Sequence, residues 1–286
     1  MNGKLSEKAM LVSLRLHAPS WQRKDRQITN EVHSNHNTSN DAGQYNKSLL
    51  PKNALTKIQS ADSALRLFHA QNTLPWFSDG TRILPTENFM SYHHGVSDLK
   101  QTRENAVQEF VANYPSFVEQ AKVRLNGMFN QNDYPDISSI PASYGISLDY
   151  LPFPDSADFR VDLADSDLQT LQDQIEERIK EVSETALKDL WERLASVIGH
   201  IVEKLIVPAG SPGGSFHDSL IENLRDLVNL LPRLNVTNNA ELEDIRLEIS
   251  TQLIAIDAQV LRDDIDSRKK VMSAAQIILE KINLRK

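Results

Sequence analysis

Apolar residues recur every three or four positions through the C-terminal part of the chain. Between Leu168 and Leu205 this spacing is unbroken and predicts one long amphipathic helix. Similar spacing predicts a second helix over 217–231 and a third helical segment over 240–282, which the charged interval 262–270 interrupts. The Pro- and Gly-rich stretch 208–215 separates the first helix from the second. Turn signals between long amphipathic helices indicate an antiparallel, coiled-coil-like helical hairpin.

Strict alternation of apolar and polar residues appears instead in the front half of the chain. It predicts strands over 10–16, 144–150 and 159–163. Two short apolar runs flank Asp79-Gly80, a dipeptide that readily forms the turn of a hairpin. These segments together predict a small antiparallel sheet.

The same half of the chain also carries helical patterns. Helices are predicted over 52–70 and 87–113, and Pro115 is expected to end the second before a shorter helix over 116–130. Residues 29–48 are mainly Asn, Ser, Thr and His, so we expect a mobile polar loop there.

These elements define the predicted architecture. The fold class is α+β and mainly α, because helices outnumber the short strands. We expect two domains, an α+β domain over 1–164 with the polar loop 29–48, and a long helical hairpin or bundle over 165–286.

Composition excludes several kinds of chemistry. The 286 residues include no cysteine, so disulfides, thiolate zinc sites and cysteine nucleophiles are excluded. The stretch 208–215 lacks the Lys-Ser/Thr ending of a phosphate-binding loop, and no hydrolase, zinc-protease or kinase signature occurs. We therefore predict that the protein is not an enzyme, with no catalytic residues, no cofactor and no metal ligands.

Charge is distributed unevenly. The net charge is −8, yet residues 1–60 carry nine basic and four acidic side chains. A basic cluster in this segment surrounds one tryptophan, and its members are candidate nucleic-acid contacts: Arg15, Trp21, Arg23, Lys24 and Arg26. The cations could pair with phosphates while the indole stacks on a base. The alternative is a solvated loop with the tryptophan packed in the core.

Histidine and aspartate clusters are the remaining candidates for a metal site. His33 and His36 have a spacing found in metal sites, but no third ligand lies nearby at a recognised spacing, and a polar tract is the simpler interpretation. The acidic cluster at 263–266 is interleaved with cations and fits a solvated helix face.

Targeting signals are not apparent. The N-terminal residues contain no apolar run typical of a secretory signal, and no apolar stretch approaches the length of a membrane span. We expect a cytoplasmic protein that does not enter a membrane.

The order of features in the front half resembles that of a known group of proteins. These features are the strand Leu11–Leu16, Leu49-Leu50-Pro51 before a helix, the apolar hairpin from Leu74 to Pro85, and the helix towards Tyr114. They resemble an uncharacterised family encoded by bacteriophages and integrative or conjugative elements. The resemblance implies a bacterial host cell and genes that lie beside MoxR-like AAA+ ATPases and von Willebrand factor A domain proteins.

Two hypotheses for function follow. The first is a non-enzymatic scaffold or adaptor of a phage or mobile element, which self-associates and acts with an AAA+ ATPase system. Its basis is the long apolar stripes, which need partners to cover them. The alternative is a single-strand nucleic-acid-binding protein in replication or recombination, which would use the basic cluster.

Overall fold

The computed structural model describes residues 5–77, 80–155, 165–206, 217–256 and 258–285. Over these residues the chain is mainly helical and has a small four-stranded antiparallel sheet, as the predicted fold class requires. None of the helices in these ranges has both the length and the apolar character needed to cross a bilayer.

The helices and strands follow one another without long irregular stretches between most of them. In the first half they are α1 Leu5–Lys8, β1 Ala9–Leu16, β2 Gln22–Lys24, α2 Arg26–His36, β3 Asn46–Ser48, α3 Thr56–Gln71, β4 Leu74–Pro75, β5 Thr81–Pro85, α4 Phe89–Leu125 and β6 Ile146–Pro152. In the second half they are α5 Asp165–Ile206, α6 Asp218–Leu234, α7 Ala240–Ile249, the π turn Ser250–Ile254, α8 Ala258–Asp263 and α9 Ile265–Asn283. Short 3-10 turns connect α4 to β6.

The chain divides into two compact units that are not continuous in sequence. The first unit contains residues 1–13, 70–91 and 150–286, and the second contains 14–69 and 92–149. The first unit therefore joins segments from both sides of the boundary predicted at 164/165, because β4 and β5 share a core cluster with α5. The predicted boundary itself borders residues outside the described ranges.

The four-stranded sheet has the order β4-β5-β1-β6. In the antiparallel register, Ala9 lies opposite Pro85 and Leu74 lies opposite Ile83. Gly80 has a φ of +82°, a conformation that favours glycine and fits the predicted hairpin, although Ser78 and Asp79 lie outside the described residues. The strands predicted at 10–16 and 144–150 are confirmed as β1 and β6, and the strand predicted at 159–163 lies outside the described residues.

The core of the first unit is built around α5. This helix has 42 residues, so it is about 60 Å long. Its buried stripe packs with apolar side chains of α6, α7, the π turn and α9. The members of the stripe are spaced three or four residues apart and include Val182, Ala186, Leu190, Leu194, Ile198, Ile201 and Leu205.

The region 240–282 consists of several helices, and one of the breaks lies in the charged interval 262–270 that interrupts its apolar pattern. The π turn follows α7, and α9 starts afresh after Asp264, whose carboxylate accepts hydrogen bonds from the backbone amides of Asp266 and Ser267. The Ser267 hydroxyl also donates to this carboxylate, and together with the amide bonds it lowers the pKa of Asp264. The amide bonds stabilise a new helix start, which is the structural role of this part of the acidic cluster. The turn predicted over 208–215 lies outside the described residues.

The polar segment 29–48 is more ordered than its composition predicts. Residues 29–36 belong to α2, which begins after the N-cap Asp25 and ends at Asn37 with a left-handed φ of 48°. The Asp25 carboxylate accepts a hydrogen bond from the amide of Ile28, 3.2 Å away. Helix caps therefore outweigh the poor helix propensity of the Asn and Ser residues here.

Pro115 does not end α4, contrary to the sequence-based expectation. The helix continues to Leu125 even though a proline lacks the amide needed for one hydrogen bond of the helix. An apolar face that is buried on both sides of the proline holds the helix together, and its members are Phe110, Tyr114, Val118, Ala121 and Leu125.

The second unit contains a buried arginine on α4. Arg103 is 1% exposed, and its Nε donates to the Asp62 carboxylate of α3 at 2.5 Å. Its Nη1 and Nη2 donate to the carbonyls of Tyr144 and His17 at 3.0 and 2.9 Å. One side chain thus links α3 and α4 to the segments that follow β1 and precede β6.

We expect Arg103→Met to destabilise the protein by about 3–5 kcal/mol, because Asp62 would stay buried without its cation. Urea unfolding followed by circular dichroism measures this change. Lys100→Met on the exposed side of α4 is the matched control and should change stability by less than about 0.5 kcal/mol. Equal effects of the two substitutions would show that the buried arginine does not stabilise this unit.

The buried hydroxyl of Tyr114 makes the stability of the protein depend on pH. Its hydroxyl donates to the Pro135 carbonyl at 3.1 Å, and burial, with the nearby Tyr134 and Asp136, raises its pKa to about 12. The folded protein therefore holds this proton to higher pH than the unfolded chain, and this contribution to stability is lost as pH rises above about 10.

Tyr114→Phe removes both the hydrogen bond and this titration. At pH 8 we expect the variant to be less stable by about 1 kcal/mol. By pH 11 this difference in stability should disappear. At that pH the ionisation of Tyr114 lowers the free energy of unfolding of the wild type by at most about 1.4 kcal/mol, whereas the variant has no hydroxyl to ionise at this position. Urea unfolding at pH 8, 10 and 11 tests this, and a difference that is constant with pH would contradict it.

Candidate functional site

The four cations of the predicted nucleic-acid cluster lie on the second unit, apart from its core. Arg15 is on the end of β1, Arg23 and Lys24 are on β2, and Arg26 is the first residue of α2. All four side chains are exposed, and within the described ranges none of them forms an ion pair. They remain available to a ligand, although Arg15 belongs to the four-stranded sheet, and the other three lie on β2 and at the start of α2.

Lys47 is a basic residue of the same segment that is not available. It lies opposite Arg23 in the β2–β3 ladder, and its ammonium group donates to the Met128 carbonyl at 2.7 Å. The carboxylates of Asp133 and Asp25 lie 2.9 and 3.5 Å from it. Burial opposes the charge, but the two carboxylates outweigh this effect and raise the pKa of Lys47. Lys47 is therefore a structural cation.

Trp21 does not offer a stacking surface for a base. Its side chain is only 7% exposed, and its indole N–H donates to the Tyr144 hydroxyl at 2.8 Å. The rings of Phe110 and Tyr114 lie 5.5 and 5.7 Å from it, centroid to centroid. The structure has Trp21 in the core position that was the alternative for this residue.

The histidine pair lies on α2. His33 and His36 line a cavity of about 300 Å³ together with the exposed Val32 and Tyr45. His33 is buried, and its Nε2 donates to the Gly43 carbonyl at 3.0 Å, since a carbonyl oxygen can only accept. Across the described residues, no three histidine or carboxylate side chains are grouped so that they could hold a metal ion.

An apolar groove on the first unit is the feature with the clearest binding geometry. It has a volume of about 510 Å³ and lies between the N-terminal half of α5 and the residues after β4. Its apolar lining consists of Trp76, Phe77, Pro154, Leu171, Ile175 and Ile179. We refer to these six residues as the α5 groove.

The α5 groove exists because the apolar stripe of α5 continues beyond the core. From Val182 onwards the stripe is buried, but Leu171, Ile175 and Ile179 are only half-buried. They follow the same helical spacing as the buried positions, so they are presented on the same face. Among the described residues, these two turns of apolar helix surface are only partly covered, so they can contact a partner.

Aromatic side chains form the opposite wall of the groove. The Trp76 ring lies 5.2 Å from Phe153 and 4.7 Å from Phe77, both edge-on. The Arg178 guanidinium lies 4.2 Å from the centroid of Phe77, within the range of a cation–π contact. These contacts hold the aromatic wall in place before any ligand binds.

The rim of the groove is acidic. Glu177 and Glu181 line it and are exposed, one turn apart on α5. Residues 167–181 contain five carboxylates and two cations. The apolar stripe of α5 can be predicted from the sequence, but the groove cannot, because Trp76 and Phe77 are distant from α5 along the chain. The Trp-Phe pair beside the hairpin was the one available signal.

Comparison of this chain with known proteins found no similar protein. No protein-family model, no curated protein and no solved structure matches this chain. Any function must therefore be argued from the chain's own residues.

Proposed function

We propose that this protein is a non-enzymatic adaptor or scaffold that binds a partner protein through the α5 groove. The observation that carries the proposal is the half-buried stripe of Leu171, Ile175 and Ile179 opposite the Trp76-Phe77 wall. Covering apolar surface contributes about 25 cal/mol per Å², so an open apolar groove favours association.

The shape of the groove is also suited to binding an amphipathic helix of a partner. Two helical turns of apolar side chains facing an aromatic wall match the groove into which an amphipathic helix lays its own apolar face. The groove lining contains apolar, Gln, Glu and Arg side chains, a set suited to binding a peptide segment. The resemblance described above implies that the gene lies beside those of a MoxR-like AAA+ ATPase and a von Willebrand factor A domain protein. The ATPase is therefore the first partner to test, and the von Willebrand factor A domain protein is the second.

Self-association was the other expectation from the apolar stripes. Most of the α5 stripe, from Val182 to Leu205, is covered by other helices of the same unit. Any self-association through α5 would therefore depend on the same N-terminal turns that line the groove. Light scattering of the wild type and of a groove variant measures this directly.

We expect Ile175→Asp to weaken binding of the AAA+ ATPase encoded beside this protein at least tenfold, because binding would then bury a carboxylate among apolar side chains. Ile277→Asp is the matched control, since Ile277 is a 53% exposed isoleucine on α9 of the same unit. Binding is measured by calorimetry with purified proteins. If both variants bind as the wild type does, the groove is not the docking site.

Single-strand nucleic-acid binding is the second candidate. The observation that favours it is the set of four exposed cations that form no ion pair within the described ranges: Arg15, Arg23, Lys24 and Arg26. With Trp21 buried, such binding would depend on phosphate contacts, and it would be weakly dependent on base sequence.

Replacing these four residues by alanine tests this candidate. If each contacts one phosphate, the slope of log affinity against log salt for single-stranded DNA should become shallower by about 3. The control variant replaces four other cations of the same unit, Lys52, Lys57, Lys100 and Lys122, and so changes the net charge equally. Fluorescence anisotropy gives the affinities, and an equal loss in both variants would indicate attraction by overall charge alone.

A further inference from the structure

The acidic rim of the α5 groove indicates the chemistry of its partner. We propose that the groove binds a basic amphipathic helix, with apolar residues at every third or fourth position flanked by Lys or Arg. The inference rests on the proposed adaptor function and adds the class of partner. It follows from three properties of the groove: its charge, its length and its unsuitability for a second copy of α5.

Charge favours a basic partner. Glu177 and Glu181 are exposed on the edge of α5 that lines the groove. Among the described residues that line the groove, the one cation is Arg178, and it is held over the face of Phe77. A Lys or Arg beside the apolar face of an incoming helix would therefore meet two carboxylates. Such contacts select a partner of one charge sign more than they add affinity.

Length favours a helix of about two turns at the contact. Leu171 and Ile179 are eight residues apart, which corresponds to about 12 Å along α5. A helix presents anchors at positions i, i+4 and i+7 over a similar distance. The aromatic wall of Trp76 and Phe77 closes the other side of this space.

A second copy of the same helix is a poor occupant. Residues 167–181 carry five carboxylates and two cations, so two antiparallel copies would bring carboxylates together along the contact. Like charges at such spacing oppose pairing. The groove therefore fits a partner of opposite charge better than it fits itself.

The test uses the full chain and two synthetic peptides. Both are 18-residue amphipathic helices without aromatic residues and with leucine at every third or fourth position. One has lysine and the other glutamate at the flanking positions. Anisotropy of labelled peptide gives the affinity, and the emission of Trp76 gives the location, since Trp21 and Trp191 are buried. The variant Trp76→Phe should abolish the emission change.

We expect the lysine peptide to bind and to shift the Trp76 emission, and the glutamate peptide to bind at least tenfold more weakly at low salt. The double variant Glu177→Gln, Glu181→Gln should lower affinity for the lysine peptide by about three- to tenfold. This loss should shrink at high salt, because screening weakens exposed ion pairs. Glu222→Gln, an exposed carboxylate on α6, is the control and should change nothing.

Other outcomes separate the inference from the proposed function. Equal binding of the two peptides, abolished by Ile175→Asp, would overturn the basic partner and leave the docking groove in place. Dimerisation abolished by Ile175→Asp, with no peptide binding, would assign the groove to a second copy and also overturn the inference. If neither peptide changes the Trp76 emission, and raising the protein concentration does not change it either, then both the docking function of the groove and the basic partner are overturned.

Discussion

The need to cover the apolar stripe of α5 is the constraint on which the first unit depends. A fully buried Leu or Ile side chain contributes about 1.5–3 kcal/mol, and the stripe has such a residue at every turn from Leu190 to Leu205. The helices α6, α7 and α9 and the strands β1, β4 and β5 all supply side chains to the same cluster. Within the ranges that the structure describes, the stripe is longer than the surface that covers it, and its partly covered end forms one wall of the α5 groove.

The second unit is organised differently, around polar groups that are buried but paired. Arg103 directs its donors to Asp62 and to two backbone carbonyls, and the Tyr144 that accepts from Trp21 supplies one of those carbonyls. Buried polar groups are costly unless every one finds a partner, so this network specifies which segments meet. It also explains why Trp21, the aromatic of the basic cluster, belongs to the core and is not exposed on the surface.

Much of the architecture could be predicted from local pattern, because helix and strand periodicity depend only on neighbouring residues. The strand β1, the strand β6 and the length of α5 are examples. The composition of the segment that contains α2 favours a loop, whereas the N-cap residue Asp25 at its start is a local signal for a helix. Continuation of α4 through Pro115 could not be predicted, since it depends on apolar contacts made on both sides of the proline.

The order of residues is enough to show that the chain is mainly helical, that it has no cysteine chemistry, and that a long apolar stripe needs to be covered. Which part of that stripe is covered, and which cations stay exposed, depends on how the elements pack. Packing also brings Trp76 and Phe77 opposite Leu171 and Ile175. Periodicity is a property of one segment, whereas burial and charge pairing depend on segments that are distant in the chain.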